Sequence, residues 1–490
     1  MERHIGLWKE EHGDKPAVAE LIIDGNCIEF YNRDLQGING CAFVGSDNDH
    51  RYKVFTNGYT DFGKYKTLDN AASYKAVYVL QQNCDFKKGF NIEGINSASF
   101  IIPELIDWLD VRTVDWGANE QEEMVAIETK FPDIILKESD PKIEIYFEVR
   151  GSLFNPNIDD RIAFEIRNQP RIRITYDEPS DVERLHADIR GIMQFFGLLI
   201  GHITDVLDIR LDIQDQDLKG RLYINEDFSY NLRTITATDR PRTKLKSVEE
   251  NIKKYFENWY DFYYDDKFEL IRRMYFESNK RKDIYAQDIL VQYVRILEGY
   301  HLRITDDEEV ASTLDKDIKN MIFTDEGKEL FTPIFQKAGW TFTSKHAKSV
   351  ASWISSGFLM KTTLSKRLEL LDAEYFNIII KNADEIAKLE KIPIPNEVEI
   401  PKDFDYYRRI ADTRNYYSHY KADAKNVLNF IQICNTINVL KALLIMILYT
   451  HMGMTKEDAR KIIIWDDELH FQTMCLRQEG LCNEKRGFLL

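Results

Sequence analysis

The chain has 490 residues, 44% of them hydrophobic and 30% charged, with a formal net charge of −17. That hydrophobic content suits two or three packed domains and excludes a disordered chain, while the acidic balance argues against a protein that coats nucleic acid through bulk electrostatics. Six scattered cysteines (Cys27, Cys41, Cys84, Cys434, Cys475 and Cys482), with no CxxC pair and no His/Cys cluster at zinc spacing, predict free thiols in a reducing compartment.

From the start, Met1 to Gly6 lacks the apolar core of a secretory signal, so a soluble, cytoplasmic protein is expected. Leu21 to Phe30 reads as a hairpin, with Asp24-Gly25 supplying the positive-φ turn between β-prone flanks. Lys142–Val149, Arg161–Ile166 and Arg171–Tyr176 alternate polar with apolar residues, the pattern of half-buried antiparallel strands. Ser180-Asp181-Val182-Glu183 reads as a capping box opening a helix through Phe195, Phe196 and Leu199, and strands resume from Val206 to Ile213. Thr236 to Arg242 is predicted to be a linker.

Beyond it the apolar spacing is helical. Ala286, Ile289/Leu290, Tyr293/Val294, Leu297 and Tyr300/His301 form one seam, and Val427, Phe430/Ile431, Cys434, Ile437, Leu440, Leu444 and Leu448 another. The prolines from Pro393 to Pro401 predict an extended surface loop. The greasiest window, Val439 to Leu448, is short and broken by Lys441, so it reads as a buried bundle helix rather than a membrane span. The fold class is therefore α+β and multidomain: a β-rich domain over 1–160, a smaller α+β segment over 161–240, an all-α bundle over 248–475 and a tail over 476–490.

Between Leu330 and Leu368 there is no Asp or Glu, while Lys337, Lys345, Lys348, Lys361, Lys366 and Arg367 accumulate with His346, Trp340, Phe342 and Trp353 among them. A cationic, aromatic surface of this kind suits RNA, through phosphate contact and base stacking. The alternative is that these lysines complement acidic neighbours in the bundle or across a subunit contact.

The sharpest chemical signal is Arg414-Asn415-Tyr416-Tyr417-Ser418-His419. A histidine that titrates near neutrality can take the proton of an RNA 2′-hydroxyl or give one to the departing 5′-oxygen, and an arginine fork can hold the scissile phosphate. Arg295 and His301 match the same loose spacing, but inside an unbroken amphipathic helix they diverge by about 120°. Arg414 and His419 would diverge too in a continuous helix, so a shared face requires a helix end or a bend, for which Asn415 and Ser418 are suitable residues. On spacing alone, a surface arginine and a capping histidine remain the alternative.

Arg414-Asn415 to His419 resembles the R-N-x-x-x-H signature of HEPN-domain ribonucleases. Leu297-Glu298-Gly299-Tyr300-His301 before it, with Gly6-Leu7-Trp8, Ala19-Glu20-Leu21-Ile22 and Phe100-Ile101-Ile102-Pro103 leading to Leu105-Ile106-Asp107-Trp108, is similar to the ApeA-like branch of that superfamily. The likeness covers most of the chain. It implies a bacterial anti-phage protein acting by abortive infection, whose HEPN domain cleaves cellular RNA such as tRNA and whose N-terminal half senses or regulates. Arg414 and His419 would be the catalytic pair and Asn415 their polar companion. Tyr420 follows the histidine directly, where some HEPN toxins carry a tyrosine one position later.

Because one motif contains one histidine, a base and an acid on opposite sides of phosphorus call for two copies, that is, a homodimer with a composite cleft. No metal or cofactor is expected. Glu298 and His301, three apart on one helix face, are candidates to support the site, against the more usual role of a satisfied buried pair or interface contact. A higher oligomer and a phage-protein trigger are compatible with this reading, and the competing class is a non-catalytic RNA-binding or sensing scaffold.

Overall fold

In the computed structural model, most of residues 1–465 are described; 33–41, 62–71, 84–93, 155–162, 233–240, 306–316, 351–361, 377–405, 420–425 and several shorter stretches are not. The chain forms two compact units, Met1–Tyr260 and Asp261–Leu490. A β-rich first half followed by a helical second half is the α+β order predicted.

The first unit is built on a twelve-stranded sheet in the order β10-β11-β12-β7-β14-β15-β6-β3-β2-β1-β4-β5. Its first six strands are β1 (Glu2–Glu10), β2 (Ala17–Asp24), β3 (Cys27–Asn32), β4 (Ala42–Ser46), β5 (His50–Asp61) and β6 (Ala72–Asn83). Since β5 pairs with both β4 and β6, these strands close into an antiparallel barrel, which removes its edges. Trp8, Leu21, Ile28, Phe30, Phe43, Tyr52, Val54 and Val79 fill the interior, and Trp8 meets Phe30 edge-on at 4.9 Å. The predicted hairpin is β2–β3, with Gly25 at φ +58° in the turn.

The sheet continues through β7 (Ile95–Ile101), β10 (Ile134–Lys137), β11 (Lys142–Phe154), β12 (Ala163–Ser180), β14 (Leu207–Ile213) and β15 (Lys219–Ile224). Two small two-stranded sheets pair β8 (Val114–Ala118) with β9 (Met124–Glu128) and β13 (His202–Ile203) with β16 (Tyr230–Asn231). The two strands expected at 161–166 and 171–176 are one strand, β12. Pro170 pairs with Phe147 of β11 just outside the stretch that also pairs with β7, where a missing N–H is tolerated. Residues before and after 160 share one sheet, and the first compact unit runs to Tyr260.

Helix α1 (Leu105–Leu109) is short, and α2 (Val182–Ile200) is buried along most of its length. The cap of α2 is Asp181, whose side chain accepts from Arg184 N at 2.8 Å; Ser180, the expected cap, ends β12. Buried Asp188 on α2 accepts the hydroxyls of Tyr176 and Tyr260 at 2.8 and 2.6 Å. Arg242 and Thr243, at the end of the predicted linker, are buried and donate to the carbonyls of Leu198 and Leu199. They anchor the chain rather than release it.

Helices then follow as α3 (Leu245–Val248), α4 (Ile252–Tyr264), α5 (Asp266–Lys280), α6 (Ala286–Ile304), α7 (Asp325–Lys337), α8 (Leu364–Leu371), α9 (Tyr406–His419), α10 (Phe430–His451) and α11 (Lys456–Trp465). The α6 seam is as predicted, with Leu290, Tyr293, Val294, Leu297, Tyr300 and His301 buried. In α10 the seam holds at Leu440, Leu444 and Leu448, but Phe430 is 64% exposed because it sits in the first turn, after a capping box of Asn429 and Gln432. Over Gln432–His451 this helix is long and apolar enough to cross a membrane, and 76% of that window is buried within the protein. Cys27 and Cys434 are free thiols. The proline segment from Pro393 to Pro401 and the tail 476–490 lie outside the described residues.

Inside the helical unit, His451 stacks on Phe262 with ring centroids 4.2 Å apart, and its Nε2 lies 2.9 Å from the Tyr300 hydroxyl. Burial lowers its pKa to about 4, against an opposing pull from Asp265. Between that value and the ordinary value of about 6.5, the unfolded chain binds a proton that the folded chain refuses. Stability that is full above the unfolded pKa is thus lost as pH falls through the window. Urea unfolding at pH 7 and pH 4.5 is expected to show a loss of up to about 3 kcal/mol from this group, and His451→Gln should flatten that part of the pH dependence.

Candidate active site

Three helices bring the site together. Glu298 lies on α6, Arg367 on α8 and Arg414 on α9, and each of these helices packs against the other two. Arg414 Nη2 donates to Glu298 Oε2 at 2.8 Å, and Arg414 Nη1 to its neighbour Asn415 Oδ1 at 2.9 Å. Arg367 Nη1 stands 3.6 Å from the other Glu298 oxygen, Oε1. The side chains of Arg367, Arg414 and Glu298 are 11%, 19% and 25% exposed, so the pairing is shielded from water without being sealed from it. Two positive groups face one negative group, and Nε of each arginine is buried without a hydrogen-bond partner among the described residues.

Helix α9 is anchored along the side that carries Tyr406, Ile410 and Thr413, all buried. The Tyr406 hydroxyl bonds Thr436 on α10, and Tyr407 donates to buried Asp372 at 2.7 Å. Fully buried Thr413 donates to the Arg409 carbonyl at 2.7 Å and accepts from Leu428 N at 2.9 Å, tying the chain that enters α10 back onto α9.

The helix is unbroken from Tyr406 through His419, so the bend expected at Asn415 and Ser418 is absent; tertiary packing of one face overrides the turn preference of those residues. Five helical residues turn the chain by about 140° and advance it about 7.5 Å. Arg414 accordingly points to Glu298 while His419 is exposed. The motif lies on its own helix, ahead of the long apolar one. Tyr420 falls outside the described residues.

The supporting residues divide. Glu298 meets Arg414 directly, whereas His301 is buried at 4% exposure in the helical core. Arg295 is exposed, so it and His301 diverge as helix geometry requires. The basic stretch is likewise not one patch. Lys337, Lys345 and Lys348 are exposed, His346 packs on Phe335 and Trp340 with centroids 5.1 and 5.7 Å away, and Lys366 pairs with Glu369 at 2.8 Å. Arg367 leaves that surface for Glu298, and Lys361 lies outside the described residues. The role of Thr413 and the approach of Arg367 and Arg414 to the same carboxylate had no local signal, because the partners stand far apart in sequence. Among the described residues no group of three or more His, Cys, Asp or Glu side chains is arranged to hold a metal ion.

The chain is a β-rich module followed by a helical domain, in which Arg414 and His419 stand five apart on one helix. The family comparisons agree over both units: residues 3–259 match ApeA N-terminal domain 1, and residues 291–458 match Apea-like HEPN. The chain belongs to the ApeA-like HEPN family, whose members are HEPN nuclease-type abortive-infection proteins. No curated protein and no solved structure matches it.

Thr413→Val removes the acceptor for a buried N–H, a change that costs about 1–3 kcal/mol. Urea unfolding is expected to show that loss, with Thr413→Ser remaining close to wild type.

Proposed function

We propose that the chain is a metal-independent endoribonuclease that cuts host RNA during abortive infection, working as a dimer in which Arg414 and His419 of both copies line one cleft. The observation that carries this reading is an arginine held in shape by Glu298 with a surplus of positive charge around it, and an exposed histidine on the same helix. Within one chain the two side chains diverge, so a second copy of α9 is needed to supply the missing partner.

In the reaction, one His419 takes the proton of the 2′-hydroxyl as O2′ attacks phosphorus. The P–O5′ bond breaks, and the second His419, protonated, gives its proton to the leaving O5′. Arg414 neutralises the charge that grows on the non-bridging oxygens, and Asn415 fixes one arm of its fork. The products are a 2′,3′-cyclic phosphate and a 5′-hydroxyl. Structured RNA such as tRNA is the substrate class favoured by family analogy, and the N-terminal unit is assigned the sensing of a phage-protein trigger in the cytoplasm. Exposed Lys337, Lys345 and Lys348 provide further phosphate contacts.

The divergence of Arg414 and His419 in a single chain favours a second reading, a scaffold that binds RNA or a phage product without cutting. Incubation with total RNA in EDTA, with and without infected-cell extract, separates the two. Cleavage with cyclic-phosphate ends is expected, falling by about 10²–10⁴-fold in Arg414→Ala and His419→Ala, with toxicity in cells lost and circular dichroism unchanged. RNA that stays intact under both conditions, or cleavage that survives in both variants, overturns the nuclease reading.

A further inference from the structure

We infer that Arg367 is a second cationic contact for the RNA phosphate at the Arg414 site, and that Glu298 positions both arginines by dividing its two oxygens between them. This rests on the reading of Arg414 and His419 as a cleavage centre and names what binds the substrate there.

A part-buried carboxylate such as Glu298 is satisfied by one well-placed guanidinium, and Arg414 at 2.8 Å supplies it. A second arginine is not needed for that ion pair. Its presence, with an 11% exposed side chain 3.6 Å from Oε1, leaves a net positive charge in a region only partly open to water. Two guanidinium groups repel each other, and a part-buried surplus charge is unfavourable until an anion meets it. An RNA phosphodiester, with one negative charge and two non-bridging oxygens, balances the group to neutrality.

The donor count points the same way. A guanidinium carries five N–H donors. Arg414 uses one Nη on Glu298 and the other on Asn415, with its Nε free of any hydrogen bond among the described residues. Arg367 engages Glu298 only at ion-pair distance and its Nε is buried, so the donors it offers a phosphate are those of its Nη groups. In the transition state, where the non-bridging oxygens gain charge, a second fork on the same phosphate stabilises it further. Arg367 is thus a binding contact, and Glu298 is a positioning residue that keeps two like charges at one place.

The test uses the full-length chain and a fully 2′-O-methylated single-stranded oligonucleotide, which cannot be cut by 2′-oxygen attack. Binding is followed by fluorescence anisotropy across a salt series. Arg367→Gln is expected to weaken binding about tenfold at low salt and to lessen the steepness of the log–log salt dependence by about 0.7, the share of one phosphate contact on a single strand. Glu298→Gln is expected to tighten binding and steepen the salt dependence, because it removes the competing anion, while slowing cleavage of the all-ribose oligonucleotide. A purely structural ion pair would weaken binding in both variants through loss of fold. Wild-type affinity and salt dependence in Arg367→Gln, with both reduced in Arg414→Gln, overturn the role of Arg367 and leave the cleavage centre standing. Binding that is unchanged or weaker in Glu298→Gln overturns the positioning role of that residue. Failure of the underlying reading shows separately, as all-ribose RNA cut equally by wild type and His419→Ala.

Discussion

The helical unit is organised around one carboxylate that holds two guanidinium groups. Glu298 fixes Arg414 by a direct hydrogen bond and stands beside Arg367, so α6, α8 and α9 are tied where their charged residues meet. That tie holds the arginine of the motif on the inner side of its helix. With Arg414 turned inward to Glu298, the helical repeat places His419 about 140° away, on the exposed side. The same interaction that shapes the arginine therefore separates it from the histidine of its own chain. In the proposed reaction a second copy supplies the second histidine, whereas the two arginines meet Glu298 within one chain.

The rest of the helical unit serves to keep α9 in that orientation. Tyr406, Tyr407 and Thr413 bond to Thr436, Asp372 and Leu428, three points outside the motif that fix the helix against rotation about its axis. Tyr300 and His451 link α6 to the end of α10 in the apolar interior. The first unit is independent in its construction, a closed six-stranded barrel extended by an open sheet, with a buried helix pinned through Asp188 to two tyrosines. Such a scaffold suits a recognition module that keeps its shape while its loops vary.

The sequence was most legible where one physical signal was local and strong. Asp24-Gly25 marked its hairpin because a left-handed turn residue between β-prone flanks has few other uses, and the 3.6-residue seam of α6 followed from its own side chains. It was least legible where distant residues decide. Arg161–Ile166 and Arg171–Tyr176 read as two strands, yet the chain runs through Pro170 as one strand, whose other side is not paired there. Asn415 and Ser418 suggested a bend, yet burial of Tyr406, Ile410 and Thr413 keeps the helix straight. Arg367 read as part of a basic surface because it closes a stretch, Leu330 to Leu368, without Asp or Glu; its partner, Glu298, arrives from another helix. The family resemblance located the motif, but nothing in the spacing told which way each side chain turns.

We propose that one cleft uses His419 from two copies, one as base and one as acid. The most direct measurement is the RNA-cleaving activity of a purified heterodimer of one wild-type chain and one His419→Ala chain, isolated by two different affinity tags and compared with the wild-type homodimer. Activity near that of the His419→Ala homodimer is the predicted result. About half of the wild-type activity, as independent sites would give, would contradict it.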